Sequence, residues 1–333
     1  MADTLMESEA SLPAPPIVER KGSKTGTKMP ITGWISGIYL LVLIFVAVFA
    51  PLFVASPVVG ADGFGEKCGD GSGFALYDPI DCVDPGALDV ANGVEGAEIG
   101  FDHILGIDGS GRDIFSGLVI GTRTSLIIAT AAVGGAMLIG GTLGILAGYF
   151  RGKVDTVCSF IFDVLLAFPA LILAIALVGV LSGPDETSGV KRIAVLIFTI
   201  GVVAVPLLGR ISRASTLTWS EREFVTASKA LGAKNGRIII RDILPNVLPA
   251  MSSIAFLAVG VVIVTEGSLS LLGLGVKEDS ISWGKILGLG NDRLRQDPTM
   301  AFAAAIVITL AVMALNMFGD ALRQKFDVRE SAL

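Results

Sequence analysis

Long apolar runs restrict this chain more than any other feature. They fall at 31–55, about 125–150, 154–181, 193–208, 247–272 and 300–322. A helix needs about 20 apolar residues to cross about 30 Å of hydrocarbon. Inside a bilayer every backbone N–H and C=O must find its partner within the protein, which leaves helices or closed barrels. These runs are continuous rather than alternating, so they read as helices. The predicted fold class is therefore all-α: a polytopic membrane protein with six transmembrane helices. The composition agrees, with a mean hydropathy of +0.74 and 52% hydrophobic residues. Glycine contributes 41 of 333 residues, which suits close helix packing in lipid. A net charge of −6 gives no support to nucleic-acid binding.

Residues 1–30 are polar, rich in proline, and carry the basic cluster Arg20, Lys21, Lys24 and Lys28. They read as a cytoplasmic tail. The first apolar run begins too late and runs too long for a secretory signal peptide. Residues 56–121 form the longest interruption, an enlarged extracellular loop with an insert. A five-helix core spans 122–322 and contains the polar loop 219–249; a second cytoplasmic tail covers 323–333. With six spans and the N-terminus inside, sixteen of the 25 Lys and Arg residues face the cytoplasm, and the opposite topology would put the basic loop 219–249 outside.

That loop, WSEREFVTASKALGAKNGRIIIRDILPNVLP, is a polar helix-forming run between apolar segments. Ser220 followed by Glu223 has the spacing of a capping box. Phe224, Val225, Ala227, Ser228 and Leu231 are expected on one helical face, and Gly232 is placed for a left-handed stop. A second short helix is expected from Asn235, with Pro245 and Pro249 leading into the next span. Loops this long with regular structure of their own are usually functional.

The spacing resembles the EAA loop of ABC-transporter permeases: Glu-Ala-Ala, three residues, Gly, nine residues, Ile-x-Leu-Pro. Here the triplet is Thr226-Ala227-Ser228, followed by Gly232 and Leu244-Pro245; Thr226, Ser228 and Asp242 depart from the consensus. Leu105–Asp113 resembles the LGTDxxGRD signature of permeases of the DppC/OppC type, and GLVIGTRTSL at 117–126 resembles their short amphipathic helix entering the second span. VDTVCSFIFDVLLAFPALILAIAL, SLSLLGLGV, SWGKIL and the NMFGDALRQKFDVR end extend the likeness over about 100–329. The resemblance implies a permease subunit of a peptide-importing ABC transporter in a bacterial plasma membrane, with both termini cytoplasmic. It also implies a second homologous permease, one or two P-loop ATPase subunits that carry ATP and Mg, an extracellular solute-binding protein, and a di- or oligopeptide substrate. Glutathione and nickel complexes are carried by related systems. The ATPase-coupling residues implied are Glu221, Glu223, Thr226, Ala227, Ser228, Gly232, Asp242 and Pro245.

No catalytic or metal site is expected on the chain itself. A phosphate-binding loop needs Gly-Lys followed by Ser or Thr, and Gly152-Lys153 and Gly284-Lys285 are followed by Val154 and Ile286. His103, the single histidine, has no GxSxG serine to pair with and reads as a surface or loop-packing residue. Cys68 and Cys82 fall in the outer loop, where a disulfide worth about 3 kcal/mol can form; two free thiols are the alternative. Cys158 reads as a small core residue. Asp163 and Glu266 lie within apolar runs, where ionisable groups are costly. Each lines the translocation path or is hydrogen-bonded to neighbouring helices, and a proton-coupled secondary transporter would use one of them as carrier. Pro169, Pro206 and Asn316 mark helix irregularities beside a cavity, or ordinary kinks. The acidic insert either contacts a binding protein, occludes the outer mouth, or is solvated surface.

Overall fold

The structure, a computed structural model, describes residues 30–52, 104–108, 112–183, 189–277, 280–295 and 297–330. Cys68, Cys82, His103 and the acidic insert lie outside them. The described residues are helical apart from turns and one isolated bridge between Ile107 and Asp113. The helices are α1 (Ile31–Phe49), α2 (Ile114–Phe150), α3 (Gly152–Leu166), α4 (Ala170–Leu181), α5 (Gly189–Ser220), α6 (Glu223–Ala230), α7 (Asn235–Ile238), α8 (Leu244–Leu271), α9 (Trp283–Asp292) and α10 (Thr299–Glu330). A π turn at Ile239–Ile243 joins α7 to α8. Five helical segments are long and apolar enough to span a membrane, and the pair α3–α4 makes a sixth candidate.

That sixth candidate is bent by 87° at the break between α3 and α4. Pro169 stands at the N-terminus of α4 in an extended conformation. Proline pushes the residue before it out of the helical region, so one apolar run becomes two half-helices. The second span differs from its predicted form in the other direction. The stretch at 117–126 is no separate helix: α2 runs unbroken for 37 residues from a cap in which Asp113 Oδ2 accepts from the Ser116 N–H at 2.7 Å.

The most extensive helix pairing is α2 against α5. Gly140, Gly144 and Gly148 repeat every fourth residue and form one bare stripe along α2. A Cβ on Gly144 would stand 2.2 Å from the Gly209 carbonyl oxygen, and one on Gly140 2.3 Å from that of Val205. The two backbones therefore touch directly, and Ser212 Oγ donates to the Gly141 carbonyl at 2.8 Å. Phe162 from α3 fills the other side of Gly209 and is fully buried. Pro206 is buried inside α5 without ending it. Cys158 is buried, as expected for a small core residue.

α8 and α10 pack together, and α9 is wedged among α8, α10 and α2. The apolar runs of the sequence end at 272 and resume at 300 with no helix expected between them, so α9 is a correction. Trp283 is its anchor: fully buried, it donates its indole N–H to the Leu118 carbonyl at 2.9 Å, and its backbone N–H to Ser125 Oγ at 3.0 Å. α1 lies outside on α10 and α2. Trp34, Leu41 and Phe45 point away from the protein, as side chains facing lipid do.

Candidate functional site

The 219–249 stretch folds as a short helix, a tight turn and a second short helix. Gly232 has φ +78°, and the turn is a Schellman motif: the Gly232 N–H donates to Lys229 O and the Ala233 N–H to Ser228 O, both at 3.0 Å. The expected capping box is absent. α5 continues through Ser220, whose hydroxyl donates back to the Leu217 carbonyl at 3.0 Å, and α6 starts after Arg222 with no side-chain cap. The expected apolar face is also divided. Val225 alone is fully buried, whereas Phe224, Ala227 and Leu231 are exposed, Leu231 by 87%.

A second small core seats this hairpin on the end of α2. Val225, Ile238, Ile243 and Val247 pack with Ile145 and Tyr149. The Tyr149 hydroxyl donates to Asn235 Oδ1 at 2.9 Å, and the Lys229 ammonium lies 5.2 Å from the Tyr149 ring centre. The hairpin is thus fastened on one side and bare on the other. Glu221, Glu223, Thr226, Ala227 and Pro245 are exposed, and Ser228 and Asp242 are half-buried. The Asp242 carbonyl accepts from Asn246 Nδ2 at 2.6 Å.

Three ion pairs climb the seam between α3 and α5, starting beside the hairpin. Arg151 pairs with Glu221 at 2.6 Å. Arg213 forks onto Asp155, with Nη2 2.7 Å from Oδ2. Arg210 meets Asp163 at 2.5 Å, and both side chains are more than half exposed. Sequence reasoning singled out Asp163 but used Arg151, Arg210 and Arg213 only as markers of orientation. These pairs join residues 47 to 70 positions apart, so no local spacing marks them.

The other intramembrane acid behaves differently. Glu266 is almost fully buried under the start of α9: its Oε1 accepts from Ser282 Oγ at 2.8 Å and Ser270 Oγ at 3.1 Å, and Oε2 lies against Gly284. Ser282 Oγ in turn caps α9 by accepting the Lys285 N–H at 3.1 Å. Asn316 lies half-buried beside Gly260, and Pro169 is exposed at the break. The structure therefore gathers the 221–245 residues in one hairpin, puts Asp163 on the seam above it, and sets Glu266 apart at the other end of α8.

Tightly paired glycine helices, a broken span candidate and a short-helix hairpin seated beneath them make a multi-span membrane protein. The family described as "Binding-protein-dependent transport system inner membrane component" matches residues 140–331. The chain is 40% identical over 226 residues to the "Dipeptide transport system permease protein DppC" of Alkalihalophilus pseudofirmus, covering 68% of this chain and 72% of that one. It is 36% identical over 225 residues to the "Glutathione transport system permease protein GsiD" of Pectobacterium atrosepticum, with the same coverage, 68% and 72%. To the "Di/tripeptide transport system permease protein DppC" of Pseudomonas aeruginosa it is 31% identical over 290 residues, covering 87% and 86%. The fold is shared with a chain of the MetNI methionine ABC transporter in an inward-facing conformation, at a TM-score of 0.52, 19% identity, and coverage of 62% of this chain and 95% of that one. This chain belongs to the binding-protein-dependent transport inner-membrane family and is a multi-pass permease subunit of the ABC importer class, not an enzyme. Its class works with a partner permease and ATPase subunits.

Proposed function

We propose that this chain forms half of the translocation path of an importer for di- and tripeptide-sized ligands, and that ATPase subunits drive it through the α6 hairpin. The observation that carries the coupling reading is the hairpin's two-sidedness. Val225 and Tyr149 fasten one side, while Phe224 and Leu231 present apolar surface on the other. An apolar ridge flanked by Arg222, Lys229 and Arg237 fits a groove on a partner chain. Glu221, Glu223, Thr226, Ala227, Ser228, Gly232, Asp242 and Pro245 are the contact and turn positions of this docking element. ATP and Mg belong to the docked P-loop subunits. The hairpin side, with both termini, is cytoplasmic; an extracellular solute-binding protein delivers the ligand on the other side.

The path lies against α3 and α5. Asp163 is about 18 Å along α3 from Arg151, at 1.5 Å per residue, near the middle of a bilayer about 30 Å thick. A charge pair exposed at that depth is too costly to face lipid and belongs beside water or a partner chain. The ion-pair seam carries movement of the hairpin to α3, and the break at Pro169 is the hinge. Glu266 Oε1 is committed to Ser282 and Ser270 at the start of α9, which favours a structural role for it over a proton carrier. The ligand class rests on relatives named for dipeptides, di/tripeptides and glutathione, itself a tripeptide.

The test is uptake by the purified complex in proteoliposomes. Dipeptides, tripeptides and glutathione are offered with the binding protein, with and without ATP and Mg. ATP-dependent uptake that Gly232→Asp removes, at normal membrane abundance, supports the reading. Uptake by the chain alone without ATP sinks it.

A further inference from the structure

A cavity of about 560 Å³ lies between α1 and the bundle, far from the hairpin and the charged seam. It is lined by α1 from Gly37 to Val48, by Arg123 to Thr130 of α2, and by Phe256, Val259, Leu315 and Phe318 of α8 and α10. The groove extends about 16 Å along α1 at 1.5 Å per residue. Its Gly37 end is closed by the edge-to-face rings of Phe256 and Phe318, with centroids 4.9 Å apart. Its walls are apolar, and only two lining side chains are polar. Thr130 donates its hydroxyl to the Leu126 carbonyl at 2.6 Å. Arg123 is exposed, with no hydrogen bond or ion pair among the described residues.

The depth of Arg123 is informative. It stands 27 residues before Phe150, the end of α2 beside the hairpin, which is about 40 Å along the helix. That exceeds the hydrocarbon thickness of about 30 Å. The guanidinium therefore reaches the head-group layer on the side away from the hairpin, while the groove descends from it into the hydrocarbon. A long apolar slot under one unpaired cation is complementary to an amphiphile with an anionic head.

We infer that this groove holds an anionic phospholipid, its phosphate on Arg123 and one acyl chain lying along α1 towards Phe318. The lipid fills the space left between α1 and the rest of the bundle beside the contacts that Leu43 and Ala47 make. Assignment to the outer leaflet rests on the proposed topology; the site itself does not.

The test uses the whole transporter in phosphatidylcholine nanodiscs doped with phosphatidylglycerol carrying a photoactivatable acyl chain. The expected result is label concentrated on peptides from 37–48 and 123–130. Arg123→Gln lowers it about five- to tenfold, the worth of one cation at a lipid surface, and Arg123→Lys retains most of it. Ile44→Trp, which fills the groove with another apolar group, removes the label while the complex stays assembled. Equal labelling in Arg123→Gln, label spread evenly over the outer helices, or groove peptides crosslinked to residues 53–103 of this chain would each overturn the site. In liposomes with the probe in one leaflet, labelling from the leaflet away from the hairpin supports the site, and labelling from the hairpin-side leaflet overturns it.

Discussion

α6 and α9 are both short helices between spans, and the bundle treats them in opposite ways. α9 is enclosed: Trp283 and Ser282 are fully buried, and Glu266, Ser125 and Leu118 hold its first turn from three directions. α6 buries only Val225 and leaves Phe224 and Leu231 in the open. A helix whose polar and apolar groups are all matched internally can be part of the frame. A helix fastened on one face, with unmatched apolar residues on the other, offers the surface that the proposed docking of another chain uses. The same contrast separates the two intramembrane acids. Glu266 is locked to α9, whereas Asp163 shares an exposed pair with Arg210.

Changes to the frame should have the largest effect on folding. Gly144→Leu puts a side chain where the Gly209 carbonyl lies 2.2 Å from a Cβ; the α2–α5 pair cannot form, and assembled complex should be lost in detergent extracts. Trp283→Ala opens a cavity under α9 and should cost about 3–5 kcal/mol, read as a lower melting temperature of the complex. A stability like that of the wild type would break the distinction between α9 and α6.

Changes to the hairpin should spare the frame. At Gly232, with φ +78° and open space around its Cβ position, Gly232→Val forces a β-branched residue into the left-handed region at about 1–2 kcal/mol. ATP-driven uptake should collapse while this chain's abundance barely moves. Asp163→Asn and Arg210→Gln should each slow uptake, and the exchange Asp163→Arg with Arg210→Asp should restore part of it, as a double-mutant cycle would reveal. Full additivity would sever the seam from transport. Leu231→Ser should be nearly silent in stability, within about 0.5 kcal/mol, yet weaken ATPase retention in a pulldown.

The spans and the hairpin were legible because both depend on local signals: long apolar runs, and a glycine at a helix end. The 87° break was not, because hydropathy sees 154–181 as one run. Pro169 marks a possible break, but Pro206 and Pro249 sit inside unbroken helices. α9 escaped because its ten residues are held by groups distant in sequence, Glu266, Ser125 and Leu118. The Ser220–Glu223 spacing misled because α5 stays helical through Ser220, well past the end of its apolar run at 208. The Asp163–Arg210 pair joins residues 47 apart, beyond the reach of any local pattern.

The central claim is that the bare side of α6 is the ATPase-docking face. The most direct test is site-specific crosslinking in the assembled transporter, with single cysteines replacing Leu231 at the C-terminal cap of α6 and Leu289 on α9. The account predicts that the Leu231→Cys position crosslinks to an ATPase subunit in a nucleotide-dependent way, and that Leu289→Cys does not. An ATPase crosslink from Leu289→Cys, or none from Leu231→Cys in a complex that still transports, would contradict it.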